Sequence, residues 1–346
     1  MFIKEVVAIS PQLTYTNEFL DGDVKVYKQE FLTAIEPSYL ELIPANLLRR
    51  MGKAVRMGIG TGLPLMKKYP SIEGIIIGTA NGGMEDCIRF LNQIVDYEEG
   101  VLTPTNFVQS TSNAIAGQLA LMGQKTGYNS THSNSSLAFD NALLDAQLVL
   151  ESSNKQVDLL VGAVEEISNY NYNIDKINGL FKNEVISTSE LIVSQSKGSL
   201  CGEGAVMLVV SNDSSGAIAE IVDQFQISFP EQQELHQLII EFLNKNNLTQ
   251  KDIDLLITGN SGDSRSDFWY SDLQQTLFPN TRNQTYKQFC GDYRTANAFG
   301  CYLAVKLFEG TYKIEGFDTP KNKTILLYNQ FAGERHGFIL MKNQQI

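Results

Sequence analysis

The sequence predicts an α/β fold built from a duplicated unit, and two observations carry that prediction. Apolar runs with the character of buried strands alternate along the chain with amphipathic segments of helical period. An acidic residue, an apolar strand and a glycine-rich turn occur in that order over residues 72–83 and again over residues 252–262. Gly78 and Gly259 therefore hold equivalent places in two related halves of the chain.

The hydrophobic pattern places the elements of the first half, which we expect to span residues 1–211. The chain opens on a strand, and the mixed, polar stretch over residues 11–45 favours loops. The pattern then predicts helices over 47–60, 85–96, 112–122 and 137–150, and strands over 72–77, 157–164 and 204–211.

The second half, over residues 212–346, repeats this order. The small residues of segment 295–301 open a helix much as Asn113–Gly117 do in the first half. The remaining predicted elements are a helix over 235–248 and strands within 252–262, 324–331 and 337–342.

Composition and charge exclude several classes of protein. The 346 residues are 43% hydrophobic and 19% charged, which is typical of a globular chain. The net charge of −12 and the lack of a basic run argue against a nucleic-acid partner. No apolar run approaches the roughly 20 residues of a membrane span, and the N-terminus lacks the features of a signal peptide. We therefore expect a cytoplasmic protein with no membrane partner.

The sequence also gives no sign of a cofactor. The four cysteines, Cys87, Cys201, Cys290 and Cys301, lack the spacing of a metal site, so reduced thiols are expected. The glycine-rich turn after the strand at 72–77 lacks the Lys-Ser/Thr pair of a phosphate-binding loop. We expect neither a metal nor a nucleotide.

The stretch from Pro104 to Glu166 is where chemistry is most expected. A short polar tract, Ser130–Ser136, leads directly into the helix predicted over 137–150. A helix N-terminus offers free N–H groups and partial positive charge, and many folds place a nucleophile there.

This stretch resembles the β-ketoacyl synthase branch of the thiolase fold. The matching motifs are a small-residue helix start at Asn113–Gly117, the polar elbow, and a strand that ends in Gly162-Ala163-Val164-Glu165. Further along, Cys201-Gly202-Glu203-Gly204-Ala205 is similar to the family's Gly-Glu-Gly-Ala strand, and Asn329-Gln330-Phe331-Ala332-Gly333 to its Phe-Gly-Gly loop. The resemblance implies a thiolase-like, duplicated αβαβα layered fold and the activity of a 3-oxoacyl carrier-protein synthase.

The positions that carry chemistry in that family differ here. The resemblance puts Ser133 at the position of the nucleophilic cysteine, with Asn260 and Asp292 at the two histidine positions. A serine hydroxyl is un-ionised near neutral pH and needs a positioned base. His132 is its neighbour in sequence and is poorly directed toward it, while His236 and His336 favour surface and structural roles.

A synthase scaffold without its cysteine resembles chain-length factors, the non-decarboxylating partners of active ketosynthases. The Cys-Gly-Asp-Tyr-Arg-Thr-Ala block at residues 290–296 is most similar to the divergent proteins of aryl-polyene or flexirubin pigment clusters. The implied partners are an acyl carrier protein and either a homologous ketosynthase or a second copy of the chain. Phe107, Phe139 and Phe331 are candidate substrate-lining residues, as are Phe289 and Phe299.

Two other functions remain open from the sequence. The chain is alternatively an active, divergent acyltransferase, condensing enzyme or hydrolase that uses Ser133 or Cys290, with Asn260 and Asp292 as helpers. A third possibility is a homodimeric acyl-binding or scaffolding protein.

Overall fold

A computed structural model describes residues 1–16, 18–194, 196–315 and 323–344. Its strands are β1 (Phe2–Ile9), β2 (Phe31–Leu32), β3 (Ile72–Gly78), β4 (Asn129–His132), β5 (Asp158–Glu165), β6 (Cys201–Gly202), β7 (Gly204–Ser211), β8 (Ala219–Ser228), β9 (Leu255–Thr258), β10 (Arg282–Thr285), β11 (Thr324–Phe331) and β12 (Arg335–Asn343). Its helices are α1 (Ala45–Leu48), α2 (Lys53–Lys68), α3 (Met84–Asp96), α4 (Pro104–Gln109), α5 (Ala114–Gly123), α6 (Ala138–Ser152), α7 (Asn169–Ile177), α8 (Gln232–Lys245), α9 (Phe268–Leu277), α10 (Lys287–Cys290) and α11 (Asn297–Phe308). None of the helices in these ranges is both long enough and apolar enough to cross a bilayer.

Ten strands form one mixed sheet in the order β10-β9-β11-β12-β8-β1-β7-β5-β3-β4. Counted outward from the middle, β1-β7-β5-β3-β4 and β8-β12-β11-β9-β10 have the same sequence of antiparallel and parallel pairings. The two sets meet where Phe2 pairs with Glu220 and Ile3 with Ala219. The duplication that the glycine-rich turns predicted is therefore present in the sheet.

Helices cover both faces of each half of the sheet, which produces five layers. On β7, Val206, Leu208 and Val210 face a central core with α6 and α11, while alternate residues face α2 and α5. On the other half, strands β9, β11 and β12 pack against the same central core and, with their opposite faces, against α8 and α9. Strand β7 is buried on both faces and is apolar over residues 205–210, as is typical of such strands.

The structure divides one predicted helix. The sequence predicted a continuous helix over residues 47–60, but α1 ends at Leu48 and α2 begins at Lys53. Gly52 precedes α2 with an extended backbone (φ −63°, ψ 164°), and the Asp86 side chain occupies the space that a Cβ at Gly52 would fill. Tertiary packing around this glycine therefore interrupts a periodicity that runs through it.

The carboxyl end of β3 lies directly against the start of α6. A Cβ at Gly78 would come within 2.6 Å of the Ala138 carbonyl oxygen, which is closer than a real Cβ approaches backbone. This contact fixes the position of the helix that follows the polar tract.

We expect Gly78→Ala to lower the free energy of unfolding by about 1–3 kcal/mol, because the clash is with backbone that cannot rotate away. Urea unfolding followed by circular dichroism measures this change. Gly83→Ala is the matched control, since its Cβ would lie 3.4 Å from the nearest atom and its φ is −87°. Equal stability of the two variants would contradict the expectation.

Candidate functional site

The polar tract forms a strand–turn–helix elbow. Strand β4 ends at His132, whose carbonyl accepts a hydrogen bond from the Thr79 backbone N–H at 2.9 Å. Residues 135–137 then make a single 3₁₀ turn before α6, and Ser135 has a left-handed backbone (φ 50°). Ser133, at the expected nucleophile position, is exposed and lies two residues before Ser135.

The three histidines are held in separate places. His132 Nε2 lies 2.8 Å from Asp145 Oδ2, which also accepts a hydrogen bond from the Tyr128 hydroxyl, at the outer edge of the sheet. His236 Nε2 lies 2.6 Å from Asp272 Oδ2 and joins α8 to α9. His132 is therefore paired with Asp145 and is not positioned as a base for Ser133, which agrees with the prediction from its place in the sequence. His236 links two helices, whereas the sequence favoured a surface role.

His336 supports the turn between β11 and β12. Its Nδ1 lies 2.9 Å from the Tyr328 hydroxyl, and its Nε2 lies 3.2 Å from the Gly333 carbonyl oxygen. Burial lowers the pKa of His336 to about 4, so the ring is neutral, Nε2 donates to Gly333 and Nδ1 accepts from Tyr328. This is the structural role that the sequence favoured.

A cavity of about 150 Å³ lies where loops from the second half of the chain meet. Its walls come from the loop after β9, from α10 and the segment after it, from the β11–β12 turn, and from a covering segment near Phe181. The residues most important for its character are Ser261, Asp263, Arg265, Lys287, Asp292, Arg294 and Phe331. Ser133 does not line this cavity.

A smaller cavity adjoins the first and shares four of its lining residues, Phe181, Asp292, Tyr293 and Arg294. Its far wall contains Glu165 and Glu166, at the end of β5, and Cys201. The two halves of the chain therefore contribute to adjoining parts of one site.

Lys287 and Asp292 form an ion pair at the first cavity. Lys287 Nζ lies 2.8 Å from Asp292 Oδ1, and only 2% of the lysine side chain is exposed. A buried ammonium group needs a close anion because burial removes its hydration. Asp292, which stands at a histidine position of the family resemblance, is therefore paired with a lysine.

Asn260 lies outside the cavity. Its Oδ1 accepts a hydrogen bond at 2.7 Å from Thr258 Oγ1, which is also 2.8 Å from Asn283 on β10. Ser261, the next residue, does line the cavity, and the Asp267 carboxylate accepts hydrogen bonds from the backbone N–H groups of Ser261 and Gly262 at 2.8–3.1 Å. The structure brings Asp292 and Ser261 together and leaves Asn260 behind them.

With this geometry described, comparison with known proteins gives the family. The profile of the β-ketoacyl synthase N-terminal domain matches residues 26–217. The chain belongs to the β-ketoacyl synthase family. A search of curated protein sequences gave no match.

Solved structures of this family have the same fold. A β-ketoacyl synthase from Burkholderia phymatum STM815 superposes with a TM-score of 0.79 at 14% identity, covering 99% of this chain and 98% of that one. The ketosynthase ApeO in complex with its chain length factor ApeC, from Xenorhabdus doucetiae, gives 0.77 at 13% identity over 99% and 97%. The ishigamide ketosynthase/chain length factor gives 0.74 at 14% identity over 99% and 98%.

Within this β-ketoacyl synthase fold, Cys290 is enclosed by protein. Its side chain has no exposure, and its Sγ lies 3.2 Å from the Gly291 carbonyl oxygen. Burial raises the pKa of the Cys290 thiol well above its usual range, so the reactive thiolate is disfavoured. Cys290 lines neither cavity.

The structure separates the three aromatic residues expected to line a substrate channel. Phe331 lines the first cavity, and the Arg294 guanidinium lies 5.0 Å from the centre of its ring. Phe139 is fully buried in the central core, whereas Phe107 is 58% exposed on α4 and packs against Phe90 with ring centres 5.5 Å apart.

Sequence reasoning missed the importance of Lys287 and Arg294. Arg294 stands in the divergent block at residues 290–296, two residues after Asp292, and Lys287 stands shortly before that block. A cation close in sequence to an acidic residue at an expected site position is a signal of a buried charge pair. The partner of Arg294 carried no such signal, because Asp175 lies 119 positions away on α7.

Two adjacent glutamates at the end of β5 hold the backbone around the smaller cavity. Glu165 accepts a hydrogen bond from the Ala80 N–H, and Glu166 accepts from the N–H groups of Ala54 and Glu85, at 3.0 and 3.1 Å, at the starts of α2 and α3. Burial raises the pKa of each glutamate to about 7, although these backbone donors lower it in part.

We expect Glu165→Gln to flatten the dependence of stability on pH. The raised pKa means that Glu165 contributes stability below its ordinary value of 4.5, and that this contribution is lost as pH rises through about 7. The wild-type free energy of unfolding should fall by up to about 1.4 kcal/mol per pH unit more steeply than that of the variant in this window.

Urea unfolding at several pH values between 5 and 8 measures the two slopes. Glu73→Gln is the control, because Glu73 is a solvent-exposed partner of Lys155. If the Glu165 and Glu73 variants had the same slope, the buried glutamate would not titrate as described.

Proposed function

We propose that this chain is the chain-length-factor-type partner of an active β-ketoacyl synthase and does not itself form carbon–carbon bonds. The observation that carries the proposal is the Lys287–Asp292 ion pair at the cavity. Decarboxylative condensation needs neutral donors that stabilise an enolate oxygen, and a carboxylate paired with an ammonium group offers an acceptor at that place. The partner's cysteine then supplies the nucleophile.

The nucleophile position supports the same proposal. Ser133 is exposed and lies outside both cavities, and no imidazole lines either cavity in the part of the chain that the structure describes. A serine without a base is a weak nucleophile. These features favour a subunit that shapes a site over one that carries out the reaction.

The edge of the sheet offers a place for the partner. Strand β4 is the last strand of the order, so its outer hydrogen-bonding groups have no strand partner within the described residues. The helices α5 and α6, which flank β4, expose Leu121, Leu144 and Leu148. Such an apolar edge favours addition of a second sheet. We propose a homologous ketosynthase as the partner, with a second copy of the chain as the alternative.

Similar structures support these partners. Two of them are of a ketosynthase with a chain length factor, and another is of an acyl carrier protein in complex with its ketosynthase. We therefore propose an acyl carrier protein as the second partner and polyketide-type synthesis in the cytoplasm, of the aryl-polyene or flexirubin kind, as the setting. Phe107, exposed on α4, then contributes to a channel that the two subunits share.

The test is elongation of an acyl carrier-protein substrate with malonyl units. We expect no product from the pure chain, and product when a cysteine-bearing ketosynthase that co-purifies with it is added. Ser133→Ala should leave the rate of the pair within about twofold, because Ser133 is not the nucleophile in this proposal. Removing a true nucleophile lowers rates by several orders of magnitude. Replacing the partner's cysteine by alanine is the positive control for loss.

Elongation by the pure chain would refute the proposal. A hundredfold loss on Ser133→Ala in the complex would assign the chemistry to this subunit instead.

Thiol alkylation tests the alternative nucleophile. We expect iodoacetamide to give a single adduct on the native protein, at the partly exposed Cys87, because Cys201, Cys290 and Cys301 are buried. Intact mass and peptide mapping locate the adduct, and Cys87→Ser should remove it. Modification of Cys290 accompanied by loss of acyl binding would favour an enzyme that uses this thiol.

A further inference from the structure

Arg294 lies at the boundary between the two cavities and lines both of them. Its Nη1 and Nη2 donate to the two carboxylate oxygens of Asp175, the second at 2.8 Å. One face of the guanidinium rests on Phe331, 5.0 Å from the ring centre. Asp175 holds the two terminal nitrogens of the guanidinium group and Phe331 supports its flat face, so the group has one fixed orientation between the cavities.

The Asp175 pair leaves part of the guanidinium available. An arginine has five N–H donors, and Asp175 takes two of those on Arg294. Within the described residues the other three have no acceptor, and 20% of the side chain is exposed at the cavities. Arg294 therefore presents fixed, unoccupied donors to whatever enters.

The charges around Arg294 decide which acceptor fits. Each cation at the cavities already has its own carboxylate: Arg265 with Asp263 at 2.6 Å, Lys287 with Asp292 at 2.8 Å, and Arg294 with Asp175. Glu165 and Glu166 add two further carboxyl groups at the smaller cavity. An incoming carboxylate would find every cation already paired with a carboxylate of the protein, and two further carboxyl groups nearby. A neutral carbonyl oxygen needs only a hydrogen-bond donor.

We propose that Arg294 is a binding residue that donates hydrogen bonds to the carbonyl oxygen of an uncharged acyl or amide group and that its pairing with Asp175 makes the site reject carboxylates. The inference rests on the proposed function for the choice of acyl group. It deepens that function, because a site that accepts acyl carbonyls and rejects malonyl groups is suited to holding a chain and unsuited to decarboxylation.

Calorimetric titration of the isolated chain with two probes of similar size tests this. Butanoyl-pantetheine is neutral, and malonyl-pantetheine carries a carboxylate. We expect the wild type to bind the butanoyl probe about tenfold or more tightly than the malonyl probe. Arg294→Met should weaken butanoyl binding roughly tenfold to a hundredfold, and Arg294→Lys by less.

Asp175→Asn gives the sharper result. It leaves Arg294 with an uncompensated charge, so malonyl affinity should rise about tenfold relative to butanoyl affinity. Glu36→Gln is the matched control: it releases Arg56, which is held by a two-point pair with Glu36 but lines neither cavity, and should leave the ratio of the two affinities nearly unchanged. Melting curves identify any variant that fails to fold, and the ratio for the wild type and Asp175→Asn decides the question if Arg294→Met is lost.

The proposal is overturned if the wild type binds neither probe, if it prefers the malonyl probe, or if Glu36→Gln changes the ratio as much as Asp175→Asn does. None of these outcomes depends on the elongation assay with the ketosynthase. The binding role of Arg294 and the partner role of the chain therefore fail separately.

Discussion

Lys287 and Asp292 lie 2.8 Å apart at the floor of the site, and the lysine is almost completely removed from solvent. Each charge is tolerated there only because the other is present, and loss of one partner from such a buried pair is strongly destabilising, by about 3–5 kcal/mol. The Asp292 carboxylate is therefore directed at the lysine ammonium group. This constraint sets the electrostatic character of the cavity, since a carboxylate oxygen that faces an ammonium group accepts a hydrogen bond and does not donate one to a substrate oxygen.

The other charges of the site follow the same rule of local compensation. Asp263 holds Arg265, Asp175 holds Arg294, and the backbone N–H groups at the starts of α2 and α3 hold Glu166. Chemistry on an acyl thioester depends on donors aimed at developing negative charge. Here each cation of the cavity is already paired with one of the protein's own carboxylates, so the site is organised for binding and for shape.

The duplicated architecture explains where the site lies. The two central helices, α6 and α11, pack between the halves of the sheet, and Asn297 Nδ2 on α11 donates at 2.8 Å to Asp140 Oδ2 on α6. Burial raises the pKa of Asp140 to about 6, and the asparagine amide is its partner from the other half. The carboxyl ends of β3, β5, β9 and β11 then bring loops from both halves to adjoining cavities, which is where open α/β sheets generally place ligands.

Residue pattern by itself determined the fold class, the duplication and the positions of the main apolar strands, but it did not predict strand β8 or helices α7 and α9. Strand β7 is apolar over residues 205–210 and β11 over residues 325–327 because both faces of these strands are buried, and that signal is local to each segment. The order of motifs likewise determined the family, and the absence of a cysteine at the elbow is readable residue by residue. The break between α1 and α2 was not readable, because it depends on how Asp86 packs against Gly52.

Only the tertiary structure decided which polar residues form the site. Ser133, Asn260 and Cys290 stand at or beside expected catalytic positions in the sequence, yet none of them lines either of the two adjoining cavities. Asn260 accepts a hydrogen bond from the Thr258 hydroxyl, and Cys290 is fully buried. The pairing of Arg294 with Asp175 spans 119 positions and leaves no local trace. Secondary structure is encoded by neighbours in the chain, whereas the partner of a buried charge is set by which distant segments the fold brings together.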